Sequence, residues 1–325
     1  MESSQRRMEL SVIIPIFNEE AIIDELYHRL VKSVSACVDR FELIFINDGS
    51  KDQSLVCLQR LAEQDPRVKY LGFSRNFGHQ IAVTAGLDVC TGKAVVIIDG
   101  DLQDPPEVIP ELYASYKKGF EVVYARRLAR EGETFFKKWS AKLFYRLLRR
   151  ITAVDMPLDT GDFRLIDEKI VHYLRQMPEQ NKFLRGQIAW LGFRQTGVYF
   201  KREKRRHGST GYSLAKMIRF ALDGITGFSD VPIKLVSRLG LLISLFSFAV
   251  ILYALYSYFL LNRTITGWTS LIMSSMFIGG VQLLSIGIIG EYIGRINKNV
   301  QHRPLYIVSD SNMIKDPVEM DMQPK

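Results

Sequence analysis

The chain has 325 residues, 47% of them hydrophobic and 24% charged, a globular mean that allows one large domain or two smaller ones. Its formal net charge of +8 calls for an anionic partner: nucleic acid, anionic lipid or a phosphorylated substrate. Cys37, Cys57 and Cys90 are scattered without Cys-x-x-Cys spacing, which excludes a disulfide framework or zinc ribbon and suits buried thiols in a reducing compartment.

The mean hides a split: the first two-thirds alternate strands and helices, and the last third holds two long apolar runs. The N-terminus carries no signal-type apolar core, so no export is expected. Residues 10–17 are a continuous apolar run rich in Val and Ile, as in a strand buried on both faces. An amphipathic helix is expected to about Ser35. Residues 41–46 predict a second strand ending in Asn47-Asp48-Gly49-Ser50, where Asp-Gly marks a turn and Ser50 suits a helix cap. A third strand at 68–73 leads into Ser74-Arg75-Asn76-Phe77-Gly78-His79. A helix over 80–90 precedes the strand 94–98, Pro105-Pro106 starts another helix, and 121–125 predicts a fifth strand. This alternation argues for βαβ units and a parallel sheet. No Gly-x-Gly-x-x-Gly follows the first strand and no Walker-type loop is present, against a dehydrogenase or a P-loop enzyme.

Residues 98–104 read Ile-Asp-Gly-Asp-Leu-Gln-Asp. In an extended segment residues i and i+2 share a face, so Asp99 and Asp101 are expected to converge on one hard cation. A cation held by few carboxylates and open to phosphates is the usual form of a Mg²⁺ site. The carboxyl edge of a parallel sheet is where open α/β folds bind ligands.

The series 11–20 (Ser-Val-Ile-Ile-Pro-Ile-Phe-Asn-Glu-Glu), 47–52, 74–80 and 99–107 (Asp-Gly-Asp-Leu-Gln-Asp-Pro-Pro-Glu) resembles family 2 glycosyltransferases of GT-A fold. More narrowly it is similar to the polyprenyl-phosphate glycosyltransferases, relatives of dolichyl-phosphate mannose synthase. The resemblance covers about residues 9–300. It implies that Pro15, Asn18, Glu19 and Asp48 line the nucleotide pocket, and that Asp99, Asp101 and Gln103 hold Mg²⁺ or Mn²⁺ and the diphosphate. It places the catalytic carboxylate within Leu158-Asp159-Thr160-Gly161-Asp162-Phe163-Arg164. Asp162 is the first candidate and Asp159 the second, with a structural pairing to Arg164 open to one of them. The pattern Arg202-x-x-Arg205-x-x-Gly208 resembles a loop closing over donor diphosphate, with Arg205 the best phosphate contact and Arg202 and Lys216 weaker ones.

Residues 134–151 carry Phe136, Trp139, Leu143 and Leu147 at helical spacing, six basic residues and no acid. That pattern suits an anionic lipid surface, and 213–228 is a second such segment. Residues 239–261 and 271–290 hold no formal charge and are long enough to span a bilayer, which takes about 20 residues. Lys234 and Arg238 before the first run, and Arg295, Lys298 and Arg303 after the second, place both flanks in the cytoplasm.

The expected architecture is therefore α/β. Residues 1–230 form a cytoplasmic GT-A catalytic domain with interface helices. Residues 231–300 form a two-helix transmembrane hairpin in the inner (plasma) membrane, and 301–325 a cytoplasmic tail. The resemblance implies inverting transfer of glucose from UDP-glucose to undecaprenyl phosphate. It also implies no nucleic-acid partner and an assembly of identical chains, with a tetramer as the expected size. Other nucleotide-sugar donors, a processive polysaccharide synthase and a non-catalytic nucleotide-sugar-binding protein are the competing readings. The absence of Gln-x-x-Arg-Trp and the small number of spans count against the synthase, and intact Asp99, Asp101 and Asp162 against the binding protein. A reporter fused after Lys325 is expected to be cytoplasmic and one inserted near Thr266 to lie on the opposite side; both on one side would refute the hairpin.

Overall fold

The computed structural model describes residues 8–128, 160–201, 231–261 and 267–313. One mixed sheet organises the first two-thirds. The elements run β1 (Leu10–Ile16), α1 (Ile23–Ser35), β2 (Phe41–Asn47), α2 (Ser54–Gln64), β3 (Val68–Phe73), α3 (His79–Val89) and β4 (Ala94–Ile97). A single 3₁₀ turn (Pro106–Val108) then leads to α4 (Ile109–Lys117), β5 (Val122–Arg127), β6 (Thr160–Asp167), α5 (Glu168–Gln176), α6 (Leu184–Trp190) and β7 (Gln195–Phe200). Two long helices, α7 (Val231–Leu261) and α8 (Trp268–Val300), and a last strand β8 (Val308–Ser311) complete the described chain.

The strand order is β7-β5-β6-β4-β1-β2-β3-β8. β1 lies at the centre, pairing in parallel with β2 (Leu10↔Phe41) and β4 (Leu10↔Ala94). β6 and β8 run antiparallel to their neighbours. The apolar runs are continuous because each strand supplies two cores. Val12, Ile14 and Ile16 face one side with Phe41, Leu43, Phe45 and the buried face of α1. Ile13, Ile44 and Ile46 face the other with Ala82, Val83 and Ala85 of α3 and Ile170 of α5. α1 buries Ile23, Leu26, Leu30 and Val34 at helical spacing and carries Asp24 and Glu25 in its first turn, where the helix dipole favours acids.

Polar side chains fix the edge of the sheet away from the strand C-termini. Glu42, fully buried, accepts from Ser11 Oγ at 2.5 Å, from Thr91 N at 2.8 Å and from Lys69. Burial pushes its carboxyl up, but these donors outweigh it and leave it below the ordinary value.

The C-terminal third differs from the expected runs in length. α8 continues ten residues past Gly290, to Val300, through a stretch with no proline to stop it. Both α7 and α8 are long and apolar enough to cross a membrane. Leu241, Phe246 and Leu283 stand exposed along them, an arrangement that suits lipid. After α8 the chain reverses near His302, at φ 45°, and β8 joins the sheet edge with Leu71↔Ser311 and Gly72↔Asp310. Tyr306 stacks on Phe73 with ring centroids 5.1 Å apart and donates to Asp88 at 3.1 Å. Asn312 accepts from Tyr70 N and donates to Val68 O, so the end of β3 does not stay an open edge.

Asp65, at the end of α2, takes Arg67 Nε and a terminal guanidinium nitrogen at 2.8–3.1 Å, and the Tyr27 hydroxyl at 2.8 Å. The Arg67 hydrogen bonds hold its carboxyl down at about 2. A folded pKa below the unfolded one adds stability above the unfolded value, and that stability is lost as pH falls through the folded one. Asp65→Asn should therefore cost about 2 kcal/mol at pH 7. Denaturant unfolding of the detergent-solubilised chain should show the gap to wild type narrowing as pH drops from about 4 toward 2.

Candidate active site

Four loops meet at the C-terminal ends of β1, β2, β3 and β4. The loop after β1 turns at Asn18, with φ 55°. Asn18 N donates to Ser50 Oγ at 2.9 Å, and its carboxamide oxygen accepts from Lys51 N at 2.8 Å. Glu19 N donates to Ser54 Oγ at 3.0 Å. The loops after β1 and β2 are thus stitched together. Ser50, expected as a helix cap, instead holds Asn18; α2 begins only at Ser54, with no side-chain cap.

Asp48 follows β2 and is buried. One carboxylate oxygen accepts from Phe77 N at 2.7 Å and the other from Gly78 N at 3.0 Å. Burial pushes its pKa up while these backbone donors pull against it. It therefore fixes the loop after β3. Gly49 is required where the two loops cross: its φ is +64°, and a Cβ there would lie 2.3 Å from the backbone carbon of Arg75.

β4 ends at Ile97, and residues 100 and 101 lie in a turn. Asp99 and Asp101 therefore do not project from an extended strand as the i, i+2 argument supposed. The Asp101 carboxylate accepts from Gln103 N at 3.1 Å, closing the turn on itself. Leu102 holds a left-handed conformation, φ 58°, while almost fully buried. Strain of that kind persists only where the surroundings over-determine it; here the core grips the Leu102 side chain between Asp101 and Gln103.

Asp162 reaches the same place from β6. That strand runs antiparallel to β4 with Ile97 opposite Arg164, so continuing the register by two residues brings Asp162 level with Asp99. His79, the first residue of α3, lies between them: Nε2 is 3.5 Å from Asp99 Oδ1 and 3.2 Å from Asp162 Oδ2. Gln80 donates to Asp162 at 3.3 Å and accepts from Leu184 N at 3.2 Å. Arg185 Nε donates to Asp162 Oδ1 at 2.7 Å.

Burial alone would raise the Asp162 carboxyl, but Arg185 and His79 hold it well below the ordinary range. Burial opposes charge on His79 as well; Asp99 and Asp162 outweigh it and carry its pKa to about 9. Although 41% of that side chain meets solvent, the direction follows from two carboxylates on one ring nitrogen.

Among the described residues, the Asp162 carboxylate does not pair with Arg164. Arg164 donates to the backbone oxygens of Gly161 and Asp162 at 2.9 and 3.3 Å. Burial brings its pKa down to about 10. The carboxylate of Asp162 belongs instead to His79, Gln80 and Arg185. His79 and Gln80 closed a motif already visible in the sequence. Arg185 had no signal, because its partner lies 23 positions away on another element. Asp159, Arg202, Arg205, Lys216 and both basic amphipathic segments lie outside the described residues.

For a divalent cation, the turn offers two carboxylates and the Gln103 amide, hard oxygen donors that fit Mg²⁺ or Mn²⁺. Among the described residues no three His, Cys, Asp or Glu side chains form a ready cage.

Residues 11–175 match the model of glycosyl transferase family 2. The chain is a member of that family. It is 49% identical over 311 residues to an uncharacterised glycosyltransferase, YkcC, of Bacillus subtilis, covering 96% of each chain. It is 45% identical to an uncharacterised glycosyltransferase, sll0501, of Synechocystis, covering 93% of this chain and 95% of that one. It is 38% identical to a prophage-derived bactoprenol glucosyl transferase of Shigella flexneri, covering 94% of this chain and 99% of that one. The match takes in α7 and α8 as well as the sheet.

The loop crossing at Gly49 gives a direct test. Gly49→Ala adds steric overlap to left-handed strain and should cost about 3 kcal/mol. Gly119→Ala, at φ +91° with its nearest neighbour 3.9 Å away, carries only the strain and should cost about 1 kcal/mol. Equal losses in denaturant unfolding would show that the crossing is not tight.

Proposed function

We propose that this family 2 member transfers glucose from UDP-glucose, with inversion, to undecaprenyl phosphate or a similar polyprenyl phosphate. The observation that carries the reading is His79, whose Nε2 lies 3.5 Å from Asp99 and 3.2 Å from Asp162 at the ligand edge of the sheet. The near-full-length likeness to a bactoprenol glucosyl transferase supports the lipid acceptor. The two exposed apolar helices support an enzyme that meets its acceptor at a membrane, with the catalytic domain and both flanks cytoplasmic.

Displacement at the anomeric carbon has three requirements. The leaving diphosphate must be neutralised; Mg²⁺ or Mn²⁺ at Asp99, Asp101 and Gln103 would supply that counter-charge when bound. Asp48 and the stitched loops after β1 and β2, with Pro15, Asn18 and Glu19, hold the nucleotide end. The acceptor oxygen must lie in line with the carbon, and Asp162, across His79 from Asp99, is proposed to orient it. Deprotonation matters least, since a phosphate monoester with a second pKa of about 6 is mostly dianionic near neutral pH. Asp162 is therefore an orienting group more than a base. Arg205, Arg202 and Lys216 are proposed to close over the donor diphosphate.

The test follows radiolabel from UDP-glucose into the lipid phase with the full chain, Mg²⁺ and undecaprenyl phosphate. Wild type should label the lipid, and chelator should stop it. Asp101→Ala and Asp162→Asn should each lose about 10²–10³ in rate. Label that never enters the lipid would overturn the acceptor, and an Asp101→Ala enzyme at wild-type rate would overturn the metal role.

A further inference from the structure

The surroundings of Asp162 raise a question that orientation alone does not answer. A dianionic acceptor brought beside this carboxylate, and across from a donor diphosphate, meets negative charge on both sides. It needs a cation of its own, because the one His79 nitrogen at hand is shared between Asp99 and Asp162. Arg164 is an unsuitable one: it is 5% exposed and its donors are turned to the backbone oxygens of Gly161 and Asp162. Arg185 is suitable. Its guanidinium lies 2.7 Å from Asp162 with 30% of the side chain exposed, it is charged at every working pH, and its planar fork matches phosphate oxygens.

Its place in the fold adds a second, independent argument. Arg185 is the second residue of α6, a helix entered through the segment 177–183. Gln180 N of that segment donates at 3.1 Å to Asn299 Oδ1, at the end of α8. Leu184, at the start of α6, is in turn held by Gln80, the neighbour of His79. Arg185 thus sits between the carboxylates of the sheet edge and the end of a helix apolar enough to cross a membrane. A lipid headgroup would arrive on that side, whereas the donor's nucleotide belongs with the loops after β1 and β2.

We propose that Arg185 is a catalytic residue of the acceptor side, contacting the phosphate monoester of the lipid next to Asp162. With no acceptor bound, Arg185 and Asp162 pair with each other. When the phosphate binds, the guanidinium bridges carboxylate and phosphate and holds the two anions together. The inference rests on the proposed lipid-phosphate acceptor.

The experiment uses the full chain with Arg185→Gln, Arg185→Lys and Arg185→Ala. KM for polyprenyl phosphate is measured in bilayers, KM for a short water-soluble isoprenyl phosphate in solution, and the Kd of UDP with Mg²⁺ by calorimetry without lipid. Arg185→Gln should raise both acceptor KM values about 10–100-fold, the worth of one charge-assisted bond, with the UDP Kd within about twofold. Arg185→Lys, keeping charge without the fork, should fall between Gln and wild type. An unchanged acceptor KM with reduced kcat would mean that Arg185 only orients Asp162, and would overturn the proposal. So would a weakened UDP Kd, which moves the residue to the donor side, or an effect confined to bilayers, which makes it a docking charge. If Arg185→Ala fails to fold, Arg185→Gln, close in length and still polar, carries the decision. Wild type that labels no lipid would refute the acceptor reading itself; wild type that does, beside an unaffected Arg185→Gln, would refute this inference alone.

Discussion

Two strands running in opposite directions set up the chemistry. β4 leads into the loop that carries Asp99, and β6, antiparallel to β4, runs back alongside it and carries Asp162. A parallel sheet alone puts loops at one edge; it does not bring a second carboxylate back toward the first. The antiparallel strand does, and a one-residue slip would turn Asp162 to the opposite face. The register is secured by burial, since Phe163, Leu165 and Ile166 are all fully buried. The same hydrophobic packing that stabilises the domain therefore fixes a spacing in the site.

Around that pair the charges are balanced rather than left bare. His79 contacts both carboxylates, and Arg185 pairs with the second. Two acids at close quarters in a partly buried cleft would otherwise raise each other's pKa. Arg185 and His79 hold the Asp162 carboxyl well below the ordinary range. The neighbouring loops are tied by backbone N–H groups donating to side-chain oxygens: Phe77 N and Gly78 N to Asp48, and Asn18 N to Ser50.

Much of the sheet was legible because β1, β2 and β4 are buried on both faces, so their apolar runs admit few other readings. The geometry of the doubly acidic turn was not legible: strand alternation was the wrong model, since the strand stops before Asp99 and Leu102 takes a left-handed conformation within the turn. Ser50 looked like a cap because Ser after Asp-Gly commonly is one; its hydroxyl was claimed by Asn18 N, 32 residues away in sequence, and no local rule sees that. Arg164, open as a partner for Asp159 or Asp162, donates instead to the carbonyl oxygens of Gly161 and Asp162. β8, with the sequence Val-Ser-Asp-Ser, has almost no strand signature. It exists because β3 has an edge to fill and Asn312 and Tyr306 have partners there.

The union of α8 with β8 bears on how the enzyme would sit on its membrane. A helix of 33 residues is about 50 Å long, and a bilayer core is about 30 Å thick. In a bilayer the surplus would project as a rod, and residues 301–307 tether its end to β8 at the sheet edge. Such a short tether would make the rod a spacer of nearly set length. The height of the cleft above the lipid would then follow bilayer thickness and helix tilt, making acyl-chain length a physical variable of the reaction alongside substrate concentration.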